Sequence, residues 1–393
     1  MKAYGSTTTA GLTSIDGLPR GLSLQQLEAA DRPARTCVFS EHEQLKREAF
    51  FHAEQLDPAV ARFGGLFTDS DFKTYTAPRT TASAFPQASV LGSSGLVAWQ
   101  GEFLADSLQS IEPWRASTIV AEAEAGWVRL KRPVRLPGRR LAGNWFHVFT
   151  GAWRNYAHWM TECMPKLLLF RWLREHVPEL RLLLPEFGSS SFHRRTLELL
   201  GVDDAVSLHL GEDDVVTPDV LWYAPIIAIW RLQPICQVAA QHLAAAAVGR
   251  RSELTLPQKR IYIRRLTPLR RVANFDALEP VLAACGFAVI STETMTLDEQ
   301  ICTMRSASLV IGEHGAGLVN LMFCQPGSRL LELFNPCGAQ PAFWVLASLC
   351  KVDYGFLVGS HWATPQSLEP DGNTDYTVSP RQLLRGIQAM LIR

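Results

Sequence analysis

From residue 259 onward, apolar runs of strand length alternate with stretches of helical spacing. KRIYIRR (259–265), FAVIST (287–292), SLVIG (308–312), SRLLELF (328–334) and VDYGFLVG (352–359) are short and almost continuously apolar, which predicts buried strands. Between them, FDALEPVLAACG (275–286), TLDEQICTMRSA (296–307) and AFWVLASLC (342–350) predict helices, and LVNLMFC (318–324) a shorter one. Five strands alternating with helices imply a parallel sheet covered on both faces. SPRQLLRGIQAMLIR (379–393) opens with a Ser-Pro helix start and carries an apolar stripe at helical spacing.

The first half alternates less regularly. STIVAEA, GWVRLKRPVRLP and GNWFHVFTG, between about 115 and 150, predict strands joined by turns. A helix is predicted over 153–176, interrupted or restarted at Pro165, then a strand over 180–187, a helix over 190–201 and a strand over 219–225. Residues 1–90 show little periodicity beyond a helix over 41–55. HLAAAAVGR (242–250) is a strong helix former placed to link the halves. The pattern divides the chain into an α/β domain over 1–250, of which 1–110 is the least legible, a second α/β domain over 251–360, and a tail and helix over 361–393 with the N-terminal half as one surface to pack back on. The architecture expected is two Rossmann-like doubly wound domains facing a central cleft, with ligand at the carboxyl ends of the second sheet's strands.

Composition narrows the function. The 393 residues are 47% hydrophobic, enough to fill two cores, and the 11 Trp and 19 Phe exclude a disordered chain. With 38 basic against 38 acidic residues, nucleic acid is not the expected partner. The eight cysteines form no CxxC pair, which fits reduced, mostly buried thiols of a cytoplasmic protein. The first residues show no signal-peptide pattern, and VLWYAPIIAIW (220–230) is too short to span a bilayer. A transmembrane segment is therefore not expected, peripheral membrane contact stays open, and oligomeric state is not encoded legibly.

Four clusters can carry chemistry. Gly312, Gly315 and Gly317 flank His314 on a strand-to-helix turn, where backbone N–H groups approach a ligand closely; a diphosphate is the natural occupant, and an ordinary tight turn the alternative. Lys259, Arg260, Arg264, Arg265, Arg270 and Arg271 crowd 259–275 without one acid, suited to phosphate oxygens or to a solvated loop. On the helix through NYAHWMTECMPKLLLF (155–170), Asn155, His158 and Glu162 share a face with Trp159 nearby, so His158 and Glu162 can serve as base and orienter or bind sugar hydroxyls. Glu332 is an acid inside an apolar strand, costly to bury unless a partner, such as a ribose diol, meets it. The His158–Glu162 spacing is not the HExxH metal pattern, and no metal is expected.

In order along the chain, NYAHWMTECMPKL, RIYIRR with Arg271 and Asn274, LDEQICTMRSASLVIGEHGAGLVNLMFCQPGSRLLELF and Tyr354 resemble glycosyltransferase family 61. Where the family pattern usually has Asn-Glu, this chain has Asn274-Phe275. The resemblance implies a GT-B-like, metal-independent, inverting transferase that uses a nucleotide-sugar, with UDP the expected nucleotide, as co-substrate and no cofactor. Its acceptor would be a glycan or other hydroxyl, in capsular or cell-surface polysaccharide synthesis. It further implies that Arg264, Arg271, His314, Gly315, Ala316 and Gly317 stabilise the departing diphosphate, that Glu332 holds the ribose, and that His158 or Glu162 is the base. Asn155, Trp159, Asn274 and Asn320 are implied to face the substrates. Two rivals are a catalytically silent nucleotide-sugar or glycan-binding protein of the same fold, and a metal-dependent hydrolase built on His158, Glu162 and His314.

Overall fold

The computed structural model describes residues 79–108, 128–188, 191–225, 232–249, 259–338, 340–361 and 372–392, together with Gln26 and Trp127 and the strands Thr8–Thr9, Leu12–Pro19, Arg35–Ser40, Glu43–Lys46, Thr74–Ala77 and Val120–Glu124. The chain divides into two compact units, Met1–His42 with Pro78–Ala228 and Glu43–Ala77 with Ile229–Arg393. The boundary thus falls near 228, not 250. The helix expected over 41–55 is not formed at its start, where Glu43–Lys46 is a strand pairing antiparallel with Thr74–Ala77; the rest of that stretch lies outside the described residues.

The first unit is built on four parallel strands, β1 (Arg139–His147), β2 (Arg181–Pro185), β3 (Ser207–Leu210) and β4 (Val215–Tyr223), in the order β3-β2-β1-β4. Thr80–Pro86 and Ser89–Leu91 extend it antiparallel beyond β4. The chain reverses direction across the sheet between β1 and β4, so their carboxyl ends form a switch point. After β1 comes a continuous helical rod, α1, made of Tyr156–His158, a π-helical turn Trp159–Cys163 and an α-helix Met164–Arg174. Pro165 sits in the first turn of that last piece, where its missing N–H costs nothing; the widened turn ahead of it is where the expected interruption falls. The rod buries Trp159, Met160, Leu167, Leu168 and Phe170, with Phe170 against Phe146 of β1. A second helix, α2 (Phe192–Leu199), is capped by Ser191.

The second unit holds α3 (Ile235–Val248) and the five parallel strands read from the sequence, β5 (Lys259–Ile263), β6 (Phe287–Ile290), β7 (Ala307–Glu313), β8 (Arg329–Phe334) and β9 (Asp353–Val358). Their order is β6-β5-β7-β8-β9, so the switch point lies between β5 and β7, whose ends pair Ile263 with Gly312. Helices α4 (Phe275–Ala284), α5 (Leu297–Arg305), α6 (Ala342–Cys350) and α7 (Pro380–Leu391) complete it. Helix α5 starts with the capping box Thr296–Glu299, and α4 ends just ahead of Gly286, whose φ of 75° suits glycine.

Tyr262, Ile311, Leu331 and Leu333 on one face of this sheet pack with Leu278 and Leu282 of α4 and with Leu383, Ile387 and Met390 of α7. The tail helix is therefore part of the second unit's core. Ile261, Val310 and Leu330 on the opposite face are equally buried, which is why the strands read as unbroken apolar runs. All eight cysteines are free thiols; four are buried, two half-buried, and Cys302 and Cys337 are exposed. Among the described residues, no helix is long and apolar enough to cross a membrane.

Candidate active site

In the first unit, the turn after β1 delivers Thr150 and then Asn155, whose side chain caps α1 by accepting from the N–H groups of Ala157 and His158. One turn on, His158 Nδ1 lies 2.6 Å from Glu162 Oε1, while Thr150 Oγ1 donates to Glu162 Oε2 at 3.0 Å. The carboxylate is 4% exposed and the imidazole 14%. A carboxylate at Nδ1 makes that nitrogen the proton bearer and leaves Nε2 as the basic atom. His158 and Glu162, the two residues the sequence paired, are thus in direct contact. Asn155 is spent on the cap. Trp159 is fully buried and donates to Thr196 Oγ1 at 3.2 Å, so it belongs to the core and not to a substrate surface.

In the second unit, a hollow of about 380 Å³ opens at the carboxyl ends of β5 and β7. Arg264, Arg265, Arg271, Phe275, Glu313 and Asp375 are among its walls. The Arg264 guanidinium lies over the Phe275 ring, 4.0 Å from its centroid, so the residue found in place of the family's acid serves as a stacking platform. Arg271 is gripped by Asp375, which accepts from Nη2 at 2.9 Å, from Nε at 3.1 Å and from the backbone N–H at 2.9 Å. Arg264 and Arg271 therefore line the same hollow.

Glu313 forms part of this hollow and escaped the sequence reading. It is 3% exposed and accepts from the Tyr262 hydroxyl and the Val272 N–H, each at 3.1 Å. Burial pushes its carboxyl up to about 7, against the donors that pull it down. The signal was available: an acid closing the apolar run of β7 is the same anomaly that drew attention to Glu332.

At the glycine turn the protein's own side chains take up the space a Cβ would need. A Cβ at Gly315 would fall on the Arg265 guanidinium, which donates to the His314 carbonyl at 3.2 Å and to the Leu269 carbonyl at 3.2 Å. A Cβ at Gly317 would meet Thr292 Oγ1, and one at Gly312 the Leu318 side chain. Ala316 merely begins the 3-10 helix Ala316–Phe323. These residues are small because the protein itself fills the space.

The His314 imidazole does not line the hollow. Its Nδ1 lies 2.6 Å from Glu332 Oε1, and Glu332 Oε2 accepts from the Tyr354 hydroxyl at 2.7 Å. Glu332 is fully buried with both oxygens engaged, so it orients His314 and reaches no ribose. Asn274 exchanges two hydrogen bonds with the Val378 backbone, and the fully buried Asn320 donates to Gln300 Oε1 and the Gly317 carbonyl. Both amides brace the scaffold instead of facing a substrate. Among the described residues, no group of three His, Cys, Asp or Glu side chains is placed to hold a metal ion.

Residues 156–331, the segment that carries His158, Glu162, Arg264 and Arg271, match the glycosyltransferase family described as Glycosyltransferase 61. The resemblance read from the sequence is borne out over that segment. Over 104 residues the chain is 35% identical to the EGF domain-specific O-linked N-acetylglucosamine transferase of Drosophila melanogaster, a match covering 25% of this chain and 20% of that protein. Over 60 residues it is 33% identical to the Beta-1,2-xylosyltransferase RCN11 of Oryza sativa subsp. japonica, covering 15% and 11%. The matches thus span a fifth or less of these relatives. The structure of the E. coli ADP-heptose lps heptosyltransferase II overlaps 63% of this chain and 98% of its own at a TM-score of 0.30 and 10% identity, too slight a likeness to carry an argument.

Proposed function

We propose that this protein is a glycosyltransferase that takes a sugar from a nucleoside-diphosphate donor and gives it to a hydroxyl acceptor. What supports this reading most is the pairing of Arg264 and Arg271 in one hollow at the switch point of the second sheet. Departure of the nucleotide adds negative charge to its terminal phosphate. Two fixed guanidiniums meet that charge without a metal ion, and Arg271 can exchange Asp375 for a phosphate oxygen.

In this scheme His158 Nε2 takes the acceptor's hydroxyl proton as the oxygen attacks the anomeric carbon. Glu162 and Thr150 hold the ring, and the imidazolium that forms is stabilised by the carboxylate at Nδ1. Attack opposite the departing diphosphate inverts the anomeric centre. His314, tied to Glu332 and joined to the arginine wall through Arg265, supports the donor side from behind.

Titration calorimetry with uridine diphosphate tests the donor site. Arg264→Ala is expected to weaken binding by about 1.5–3 kcal/mol, the range for hydrogen bonds to a charged group; unchanged affinity removes Arg264 from it. A panel of nucleotide-sugars, screened first by thermal shift and then for transfer, identifies the donor. Binding without turnover, unaltered by His158→Ala, would favour the silent binding protein.

A further inference from the structure

Residues 131–140 carry five cations and no acid: Lys131, Arg132, Arg135, Arg139 and Arg140. All five are exposed. In a chain with 38 basic and 38 acidic residues, such a run is a local excess of positive charge. The segment turns a corner: the strand Trp127–Leu136 ends, Pro137 and Gly138 follow, and β1 begins at Arg139. Gly138 lies so close to the Val215 carbonyl that a Cβ would meet it, and its N–H donates to Thr217 Oγ1 at 2.8 Å. The corner is thereby pinned to the start of β4.

A hollow of about 530 Å³ opens at this corner, larger than the arginine hollow of the second unit. Arg132, Arg135 and Arg139 stand in its wall with Glu212, Asp213 and Asp214. Three acids would neutralise three arginines if they met in pairs, but only one pair forms among these six. Asp213 pairs with Arg132. Glu212 takes Arg154, of the turn ahead of α1, at 3.0 Å. Asp214 accepts from the Gly211 N–H at 2.8 Å and closes its own turn. Among the described residues, Arg135 and Arg139 are left without an ion pair.

Two unspent guanidiniums in the wall of a hollow suit an anion that can accept a fork of N–H donors, such as a carboxylate. Pro133 and Pro137 add apolar wall beside them, on which a sugar ring can lie. Firm contact with a membrane would need apolar side chains as well as cations. Among the described residues, the exposed large hydrophobic side chains, from Leu266 to Ile392, all belong to the second unit. The concave, basic surface therefore favours a soluble polyanion over a lipid surface.

We propose that this hollow is a glycan-binding site that takes a carboxylate-bearing sugar chain through Arg135 and Arg139. The Glu212–Arg154 pair ties its wall to the residue ahead of Asn155, the cap of the rod that bears His158. An acidic glycan is thereby named as the class of acceptor, and that step rests on the transferase reading; the binding itself does not.

The test is calorimetry on the full chain with tetragalacturonate as probe and its methyl ester as the uncharged twin. The acid is expected to bind, and the ester to bind at least about tenfold more weakly, the loss from giving up hydrogen bonds to a charged group. Arg135→Ala/Arg139→Ala should bring the acid down to the ester's level. Equal binding of acid and ester overturns the proposal, as does undiminished binding by the double variant or no binding of the acid at all. Adsorption to phosphatidylglycerol vesicles that the double variant abolishes, without binding of the tetramer, assigns the cations to a membrane and also overturns it. The comparison of acid with ester uses the wild type alone, so it decides even if the variant does not fold. No nucleotide takes part, so failure here and failure of the donor site are separate results.

Discussion

His314 Nδ1 stands 2.6 Å from Glu332 Oε1, the same separation that joins His158 to Glu162 in the other unit. In each pair a hydroxyl occupies the second carboxylate oxygen, Tyr354 at 2.7 Å in one and Thr150 at 3.0 Å in the other. Each unit therefore holds one imidazole, fixed in tautomer by a buried acid, beyond the carboxyl end of a central parallel strand. The repetition explains why Glu332 was misread as a ligand contact: its partner is the histidine on the adjacent strand's exit.

Tyr354→Phe removes the hydroxyl from Glu332 and leaves a fully buried carboxylate oxygen without its donor. Stability in urea unfolding is expected to fall by about 1–3 kcal/mol. A change within a few tenths would mean that Tyr354 is not what satisfies Glu332.

Thr150→Val, close to isosteric, takes the donor from Glu162 Oε2 while the His158 contact remains. With a donor found by the nucleotide-sugar screen, kcat should drop roughly tenfold with little change in KM, because the loss bears on ring orientation rather than on binding. A raised KM at constant kcat would place Thr150 in substrate binding instead.

Glu313 gives the second unit a pH-dependent liability. Its ordinary value is 4.5 and its folded value about 7, so between these the folded protein holds a proton the unfolded chain has lost. Stability should therefore fall as pH rises through that window and level off above it, by about 3 kcal/mol in all. Glu313→Gln should flatten the decline in denaturation profiles taken from pH 4.5 to 8. An equal slope in the variant would assign the titration elsewhere.

Gly315→Ala places a methyl group on the Arg265 guanidinium and must displace it from the His314 carbonyl. Because the guanidinium is the far end of a flexible side chain, a loss of about 1 kcal/mol is expected by calorimetry, that of the hydrogen bond given up. If the glycine were instead a phosphate cradle, stability would hold and only nucleotide affinity would suffer.

Much of the second unit was legible in the sequence because its strands are buried on both faces, and such strands announce themselves as runs like RLLELF. The helix starts at Thr296 and Ser379 were equally visible, since a capping box at the first and a first-turn proline after the second are local chemistry. What the sequence concealed were long-range choices. Nothing near residue 380 says that Leu383 and Ile387 meet Tyr262, and nothing near 315 says that an arginine fifty residues earlier fills the glycine's space. The same limit applied to the site: His158 and Glu162 are neighbours on one helix and could be paired by spacing, whereas Asp375 reaches Arg271 across 104 positions.

The widened turn Trp159–Cys163 has one further implication. A rod with a residue to spare is a poorer helix than a regular one, and trimming that residue would smooth it. Yet each residue removed rotates the upstream segment by about 100° relative to the helix beyond it. A shortened rod would swing the imidazole a quarter-turn off its acid while the apolar seam downstream stayed in place. Fold and chemistry thus pull in opposite directions on a single amino acid, and a deletion there should yield a sturdier protein that has lost its purpose.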